Sequence, residues 1–147
     1  MTLNIASEDP NTADAAVLID GSEDALRASY SVQECSTSSL DELSDPSATF
    51  LVARLNGQAV GCVALIEQDG QAQVKRLFSL PTHRGQGIDD ALMEHIESRA
   101  HTQGHDAINL KTGAKLEAAV RLYKRRGYVQ YAPTCGNPNL IYMTKPL

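Results

Sequence analysis

The chain has 147 residues, of which 42% are hydrophobic and 21% are charged, a balance typical of a globular domain that buries a core. Its 18 acidic and 13 basic side chains give a net charge of -5, which argues against nonspecific binding to nucleic acid or to an anionic membrane, because both require a basic surface. The sequence has no apolar run of the roughly 18 residues that span a bilayer, and no secretory signal pattern. We therefore expect one cytoplasmic domain over residues 1–147.

Three cysteines are spread along the chain, at Cys35, Cys62 and Cys135. Because their number is odd and their spacing is wide, neither a disulfide framework nor a zinc site is expected. Cys62 lies in the apolar run AVGCVALI, which indicates a core position. His101 and His105 are four residues apart, but Gly104 interrupts the helix between them, so we expect no metal site.

The first third of the chain predicts a strand followed by a helix. Leu3–Ala6 reads as a short strand, and residues from about Asn11 to Tyr30 have apolar side chains at helical spacing. We expect Gly21 to break this helix in two. The polar stretch that follows can hold only a short helix, around Leu40–Leu43.

The middle of the chain predicts a three-stranded antiparallel meander. The strand-like runs TFLVARL and AVGCVALI are joined by Asn56-Gly57, a strong signal for a two-residue hairpin turn. Asp69-Gly70 marks a second turn into QAQVKRLFSL. Three consecutive strands joined by tight turns pair in chain order.

The last third alternates helices with strands. A helix is predicted from about Gly87 to Gln103, a strand at AINLK, a helix from about Lys115 to Arg126, and two strands near Tyr128 and Ile141. The whole order predicts an α+β fold with a mixed central sheet of about six to seven strands flanked by helices.

The segment between the meander and the long helix contains the run RGQG, Arg84–Gly87, followed by two aspartates. A strand that stops at Pro81 and a helix that begins near Gly87 leave several backbone N–H groups without intrahelical partners. The glycines let a ligand approach these groups, the helix dipole favours an anion, and His83 and Arg84 can bind phosphate. The alternative is a plain strand-to-helix turn in which the glycines only satisfy the backbone angles.

Two well-known phosphate-binding patterns do not fit this loop. The dinucleotide fingerprint G-x-G-x-x-G/A requires a small residue where Asp90 stands, and it opens a parallel sheet rather than following a meander. The P-loop pattern requires G-K-[ST] after the glycines, and these residues are absent from the sequence.

Two motifs resemble those of the GNAT acetyltransferase superfamily. The central motif of that family, R/Q-x-x-G-x-G/A at the start of a long helix, corresponds to RGQGID, Arg84–Asp89. Its second signature, A-x-x-L-Y-x-x-x-G-F/Y, corresponds to AVRLYKRRGY, Ala119–Tyr128. The resemblance covers about Phe50 to Tyr128. It implies a GNAT-like fold and acetyl transfer from acetyl-CoA to an amine of a small molecule or peptide.

In that family the pyrophosphate of acetyl-CoA rests on the loop amides, and the pantetheine arm pairs with the fourth strand. The resemblance therefore implies a cofactor-binding set of Leu77, Phe78, Ser79, Arg84, Gly85, Gln86, Gly87, Ile88, Asp89 and Asp90. It implies that Tyr123 protonates the departing thiolate, although a tyrosine there can also simply pack its ring against the sheet. It further implies that the fourth strand diverges from the strand AINLK and leaves a V-shaped cleft.

The sequence departs from the family pattern at the last glycine of the central motif, where Asp89 stands. Its carboxylate suits the helix dipole, and we expect it to accept hydrogen bonds from the N–H groups that would otherwise bind pyrophosphate. At an effective dielectric near 20, two unit charges about 6 Å apart repel by roughly 3 kcal/mol, which corresponds to about a hundredfold in affinity. Asp90 adds to this repulsion unless both side chains point away.

Several positions that often carry a functional glutamate, asparagine or glutamine in the family hold other residues here, namely Gln73, Lys75, Lys111 and Leu116. No general base is obvious, and Glu67 and His83 are the remaining candidates. The basic run Lys124–Arg126 can attract the 3′-phosphate of CoA, or it can merely favour the helix C-terminus, with Gly127 as the stop.

A second hypothesis for function is a degenerate GNAT domain that binds CoA weakly or not at all and serves as a ligand sensor or interaction module. Asp89, Lys111 and Leu116 favour this alternative, whereas the intact RGQG run and Leu122-Tyr123 favour the enzyme. The final strands often pair between subunits in the family, so a homodimer is also an expectation.

Overall fold

A computed structural model describes residues 3–27, 43–68, 70–113, 116–132 and 140–147. Its strands are Leu3–Ser7 (β1), Thr49–Leu55 (β2), Gln58–Gln68 (β3), Gln71–Ser79 (β4), Ala107–Gly113 (β5), Val129–Tyr131 (β6) and Leu140–Pro146 (β7). Its α-helices are Ala13–Arg27 (α1), Ile88–Thr102 (α2) and Glu117–Arg125 (α3). A short 3-10 helix, Pro81–His83, lies between β4 and α2. No described helix is long and apolar enough to cross a membrane.

The described strands form a seven-stranded mixed sheet in the order β1-β2-β3-β4-β5-β7-β6. Neighbouring strands are antiparallel except for β4 and β5, which run parallel. The α+β prediction and the predicted meander β2-β3-β4 are therefore confirmed. The parallel pair arises because α2 carries the chain from the end of β4 back to the start of β5.

The turn between β2 and β3 forms as predicted. Asn56 and Gly57 have φ of 52° and 87°, and the flanking residues Leu55 and Gln58 are paired. Positive φ at both central positions is the geometry of a type I′ turn, which asparagine and glycine tolerate best. In the second turn Gly70 has φ of 76°, while Asp69 lies outside the described residues.

The prediction that Gly21 breaks the first helix is wrong. Helix α1 begins after Thr12, whose Oγ1 accepts a hydrogen bond from the amide of Ala15 at 3.1 Å, and it continues through Gly21. A Cβ added at Gly21 would lie 2.7 Å from Cε2 and Cζ of Phe78. This glycine therefore allows close packing of α1 on β4. The predicted short helix lies outside the described residues apart from Leu43, which is buried.

Helices cover both faces of the sheet. One core cluster joins α2 and α3 to the sheet through side chains that include Leu92, Met93, Ile96 and Tyr123. The other joins α1 to the sheet through Ala15, Leu18 and Ile19. Along β2 the two clusters alternate, with Phe50 and Val52 in the α1 cluster and Leu51 and Ala53 in the α2 cluster. This strand is apolar at consecutive positions because both of its faces are buried.

Candidate active site

Strands β4 and β5 form a cleft at the centre of the sheet. Their pairing is limited to Ala72 with Ile108 and Gln73 with Asn109, although β4 continues to Ser79 and β5 continues to Gly113. Among the described residues, no further backbone pairing joins these two strands. The predicted V-shaped cleft is therefore confirmed. Backbone groups on the open side of β4 can pair with a ligand that itself carries amides.

A β-bulge bends β4 where the cleft opens. Cys62 pairs with Phe78 and Ala64 pairs with Lys75, so two residues of β4, Arg76 and Leu77, stand opposite one residue of β3. Arg76 adopts φ of 59°, and its carbonyl oxygen accepts a hydrogen bond from the Cys62 Sγ at 3.2 Å. A bulge bends its strand and increases the local twist. The bulge was not predicted from the sequence, because nothing in the run VKRLF indicates a non-glycine residue with positive φ.

The loop between β4 and α2 exposes backbone amides. Gly85 and Gly87 have φ of 83° and 79°, and a Cβ added at either would meet no heavy atom within 4 Å. Gly87 is the N-cap of α2, and no side chain caps it. The described hydrogen bonds include no acceptor for the amides of Ile88, Asp89 and Asp90, which form the first turn. An anion such as pyrophosphate fits an open glycine loop with free helical amides.

The side chain of Asp89 turns inward from the first turn of α2. Its Oδ1 is buried and has no hydrogen-bond partner among the described residues. Burial raises the pKa of the carboxyl, although a hydrogen bond from the Ser79 side chain and the charge of Arg84 oppose the rise. The expectation that this carboxylate accepts hydrogen bonds from the amides of α2 is wrong: no described hydrogen bond joins them, because the side chain points toward β4.

The neighbouring Asp90 points the other way. Its carboxylate pairs with Arg125 at 2.9 Å and with Arg126 at 3.5 Å, at the C-terminal end of α3. The basic run at the end of α3 therefore has a use that neither sequence interpretation considered, because it compensates one of the two adjacent carboxylates. Asp89 has no ion pair among the described residues.

A second carboxylate of α2, Glu97, is only 8% exposed and lies at the centre of a polar cluster. It accepts hydrogen bonds from the Tyr128 hydroxyl at 2.9 Å, the Arg126 guanidinium at 3.0 Å and the Lys145 Nζ at 2.9 Å. Burial alone would raise the pKa of Glu97, but these hydrogen bonds outweigh it and hold the pKa below the ordinary value. This cluster was not predicted from the sequence, where the available signal was a glutamate at an inward-facing position of α2.

Tyr123 lies in α3 and belongs to the same core cluster as Ile88, the first residue of α2. It is 6% exposed, and its ring stands edge-on to Tyr128 with the centroids 5.7 Å apart. Burial and the nearby charge of Asp89 raise the pKa of its hydroxyl well above the ordinary value, so it carries its proton at neutral pH. The ring packs in the α2-side core, and the same position sets the hydroxyl within the electrostatic reach of Asp89.

The other predicted residues surround the mouth of the cleft or lie away from it. Arg84 stands over the Phe78 ring at 5.7 Å, and the Nδ1 of His83 lies 3.0 Å from the Thr82 hydroxyl. Glu67 is exposed. It pairs with Ala72 near the start of β4, at the end of this strand that is far from the glycine loop.

Comparisons with known proteins identify the family. The model of the acetyltransferase (GNAT) family matches residues 18–128. The chain is 33% identical over 150 residues to the IAA acetyltransferase of Azospirillum brasilense, with 99% of this chain and 98% of that protein covered. It is also 33% identical over 94 residues to the aminoalkylphosphonate N-acetyltransferase of Salmonella typhimurium, with 60% of this chain and 61% of that protein covered.

A solved structure agrees with these matches. The crystal structure of a Klebsiella pneumoniae protein, assigned as an acyl-CoA N-acyltransferase, superposes with a TM-score of 0.81 at 28% identity and covers 99% of this chain and 98% of its own. The open cleft, the glycine loop before α2 and these sequence matches lead to the same conclusion. The chain belongs to the GNAT family and is an N-acetyltransferase, an enzyme class whose acetyl donor is acetyl-CoA.

Proposed function

We propose that the protein transfers the acetyl group of acetyl-CoA to the primary amine of a small molecule, and that residues 1–147 act as a single domain in the cytoplasm. The observation that carries this proposal is the divergence of β4 from β5 directly before a loop with free helical amides. The two features are adjacent in the chain, so one extended ligand can use both. That β1 and β7, the first and last strands, belong to one sheet supports the single domain.

The residues present fit acetyl-CoA. The open edge of β4 can pair with the two amides of the pantetheine arm, and the amides of the loop and first helical turn can bind the pyrophosphate. The residues proposed to hold the cofactor are Leu77, Phe78, Ser79, Arg84, Gly85, Gln86, Gly87, Ile88, Asp89 and Asp90. The open space around Gly85 and Gly87 supports this assignment, because the backbone there is accessible. The charge of Asp89 opposes it.

Acetyl-CoA supplies an activated thioester when it is bound. Acetyl transfer forms a carbon–nitrogen bond to the acceptor amine and breaks the carbon–sulfur bond of the thioester. We propose that Tyr123 donates its proton to the sulfur that departs, while the amine nitrogen loses one proton to solvent and the tyrosine regains its own from solvent. Its protonated state at neutral pH and its place in one core cluster with Ile88, the first residue of α2, support this role.

The acceptor is proposed to be a small molecule because the family acts on such amines. The name of the aminoalkylphosphonate N-acetyltransferase, a partial match, describes one such acceptor. That a peptide amine serves as the acceptor stays a prediction. The pairing of two subunits through the final strands also stays a prediction.

The test combines binding with turnover. Acetyl-CoA is titrated into the full chain by calorimetry, and release of the CoA thiol is then followed with a panel of small primary amines and with short peptides. Saturable binding and amine-dependent thiol release are expected. An absence of binding over the micromolar to millimolar range would contradict the proposal and favour a degenerate GNAT domain.

A further inference from the structure

We propose that acetyl-CoA binds to this protein together with one proton, which is taken up by the carboxyl of Asp89. The inference rests on the proposed function and deepens it, because it assigns a role to the residue that replaces a glycine of the family motif. The proton comes from solvent and forms an O–H bond on the carboxylate. No bond of the cofactor is made or broken in this step.

The carboxylate of Asp89 lies where the proposed ligand must pass. Asp89 lies in the first turn of α2, among the amides that have no acceptor in the described residues. Its side chain points toward the end of β4, where Ser79 donates a hydrogen bond to it. An extended ligand that pairs with β4 and reaches these amides must therefore pass close to this carboxylate.

One oxygen of this carboxylate lacks a partner among the described residues. Its Oδ1 is buried without a hydrogen-bond partner in the part of the chain that the structure describes. A buried carboxylate oxygen in that state costs free energy when it is ionised, whereas a protonated carboxyl is both uncharged and able to donate. The surroundings of Asp89 therefore favour the protonated carboxyl over the carboxylate.

The surrounding charges compensate it only in part. From the loop, Arg84 exerts a favourable charge, but its guanidinium stands over the Phe78 ring at 5.7 Å. On the same helix, Asp90 is negative and is itself paired with Arg125 and Arg126.

Among the described residues, two further ionisable groups lie within electrostatic range of Asp89, namely Tyr123 of α3 and Cys62 of β3, whose side chain belongs to the α1-side core. Both interact unfavourably with its charge, since it raises the pKa of each. No packed element therefore presents a cation that forms an ion pair with Asp89 among the described residues.

Binding of a pyrophosphate makes the anion still less favourable. The two charged phosphates would stand at the first turn of α2, within a few ångströms of the carboxylate, where like charges repel strongly. Protonation removes this repulsion and supplies an O–H donor for a phosphate oxygen. The alternative is a fixed repulsion, in which Asp89 stays ionised and acetyl-CoA simply binds weakly at every pH.

Calorimetry distinguishes these cases. Acetyl-CoA is titrated into the full chain at several values between pH 5 and pH 8, each in two buffers that differ in ionisation enthalpy, which gives the number of protons taken up per molecule bound. The same titrations are made with Asp89→Asn and with Glu94→Gln. The second variant removes a negative charge from the exposed surface of the same helix. Proton changes on the phosphates of acetyl-CoA are common to all three proteins and cancel in the comparison.

The wild type and Glu94→Gln are expected to take up as much as about one proton more than Asp89→Asn. In the same pH range their dissociation constants should rise by about tenfold per pH unit relative to that variant. Asp89→Gly provides a second variant, and it should also lose the extra proton. Circular dichroism of each unliganded variant confirms that it is folded.

Two results would overturn the inference. Equal proton uptake in the wild type and both Asp89 variants, with affinities that differ by a constant factor, would indicate a fixed repulsion and would leave the proposed function intact. An absence of acetyl-CoA binding in all variants at every pH would overturn the proposed function, and the inference with it.

Discussion

The two carboxylates of α2 show opposite consequences of burial. Asp89 has a buried oxygen without a partner, so burial raises its pKa. Glu97 is more completely buried, yet three donors surround it and its pKa is lowered. The difference lies in the partners, because desolvation penalises both groups and only hydrogen bonds and opposite charges offset it. We infer that Asp89 weakens the fold in favour of the ligand site and that Glu97 stabilises it.

Replacing Asp89 with asparagine is expected to stabilise the unliganded protein at neutral pH. The pKa of Asp89 is raised in the folded state above its ordinary value of 3.8, so its cost is absent below about pH 3.8 and grows as the pH rises through that value. Asparagine keeps an acceptor for Ser79 without the charge. Urea unfolding at pH 7 should show a gain of about 1 kcal/mol, which shrinks toward acid pH. A gain that is equal at pH 4 and pH 7 would contradict this explanation.

Removing the hydroxyl of Tyr123 tests its proposed role as the proton donor. Tyr123→Phe should lower kcat by about 10²-fold or less while the dissociation constant of acetyl-CoA stays unchanged, because the proton is needed only as the sulfur departs. Tyr131→Phe, on the exposed strand β6, is the control. Unchanged turnover in Tyr123→Phe would mean that the ring only packs against Tyr128 and the core.

Between elements, a few contacts decide how the helices stand on the sheet. Glu97 joins α2 to the end of α3 through Arg126 and to β7 through Lys145. Gly21 brings α1 against Phe78 of β4 on the opposite face. We infer that these contacts hold α2 and the bulged end of β4 in position.

Loss of the Glu97 charge should destabilise the fold. In Glu97→Gln the cations Arg126 and Lys145 lose their shared carboxylate, and we expect a loss of about 2 kcal/mol at pH 7. Because the pKa of Glu97 is lowered from 4.5, the stabilisation is fully present above pH 4.5 and is lost as the pH falls through the lowered value. Denaturant unfolding at pH 7 and in acid measures both effects. Glu94→Gln should change stability by less than about 0.5 kcal/mol.

An alanine at Gly21 should also destabilise the protein, despite the better helix propensity of alanine. Its Cβ would lie 2.7 Å from two atoms of the Phe78 ring. Such overpacking costs about 1–3 kcal/mol, against about 1 kcal/mol gained in propensity. Thermal unfolding of Gly21→Ala, with Val17→Ala on the exposed side of α1 as control, measures the net loss. Combining Gly21→Ala with Phe78→Leu should recover part of the loss, and strict additivity of the two would argue against the clash.

For the whole molecule, the cleft is a consequence of sheet topology. The change from antiparallel to parallel pairing occurs at β4 and β5, and the chain leaves β4 to form α2 before it returns. The bulge at Arg76 bends β4 at the same point. Ligand sites of open sheets commonly lie where strand order or direction changes in this way, outside the carboxyl ends of the strands.

Ligand binding should therefore stabilise the whole fold and protect one region most. Acetyl-CoA at about 100 times its dissociation constant should raise the free energy of unfolding by about 2.7 kcal/mol. In hydrogen exchange, the amides from Leu77 to Asp90 should gain more protection than those of β1, which lies at the far edge of the sheet. Uniform protection of both segments would indicate stabilisation without a site at the cleft.

Local patterns in the sequence were sufficient to predict most elements. Turn chemistry at Asn56-Gly57 and apolar periodicity predicted the meander and the long helix, because both depend on residues adjacent in the chain. The two motifs that contain Arg84 and Tyr123 predicted the family for a related reason, because each is a run of residues adjacent in the chain.

Long-range packing decided the rest. The residue at position 21 of α1 is a glycine because Phe78, far along the chain, leaves no room for a side chain there. The bulge at Arg76 depends on the register with β3. The directions of Asp89 and Asp90, one toward β4 and one toward α3, cannot be read from two identical neighbouring residues. Partners distant in sequence determine that Asp90 is paired with two arginines and that Asp89 has a buried oxygen without a partner among the described residues.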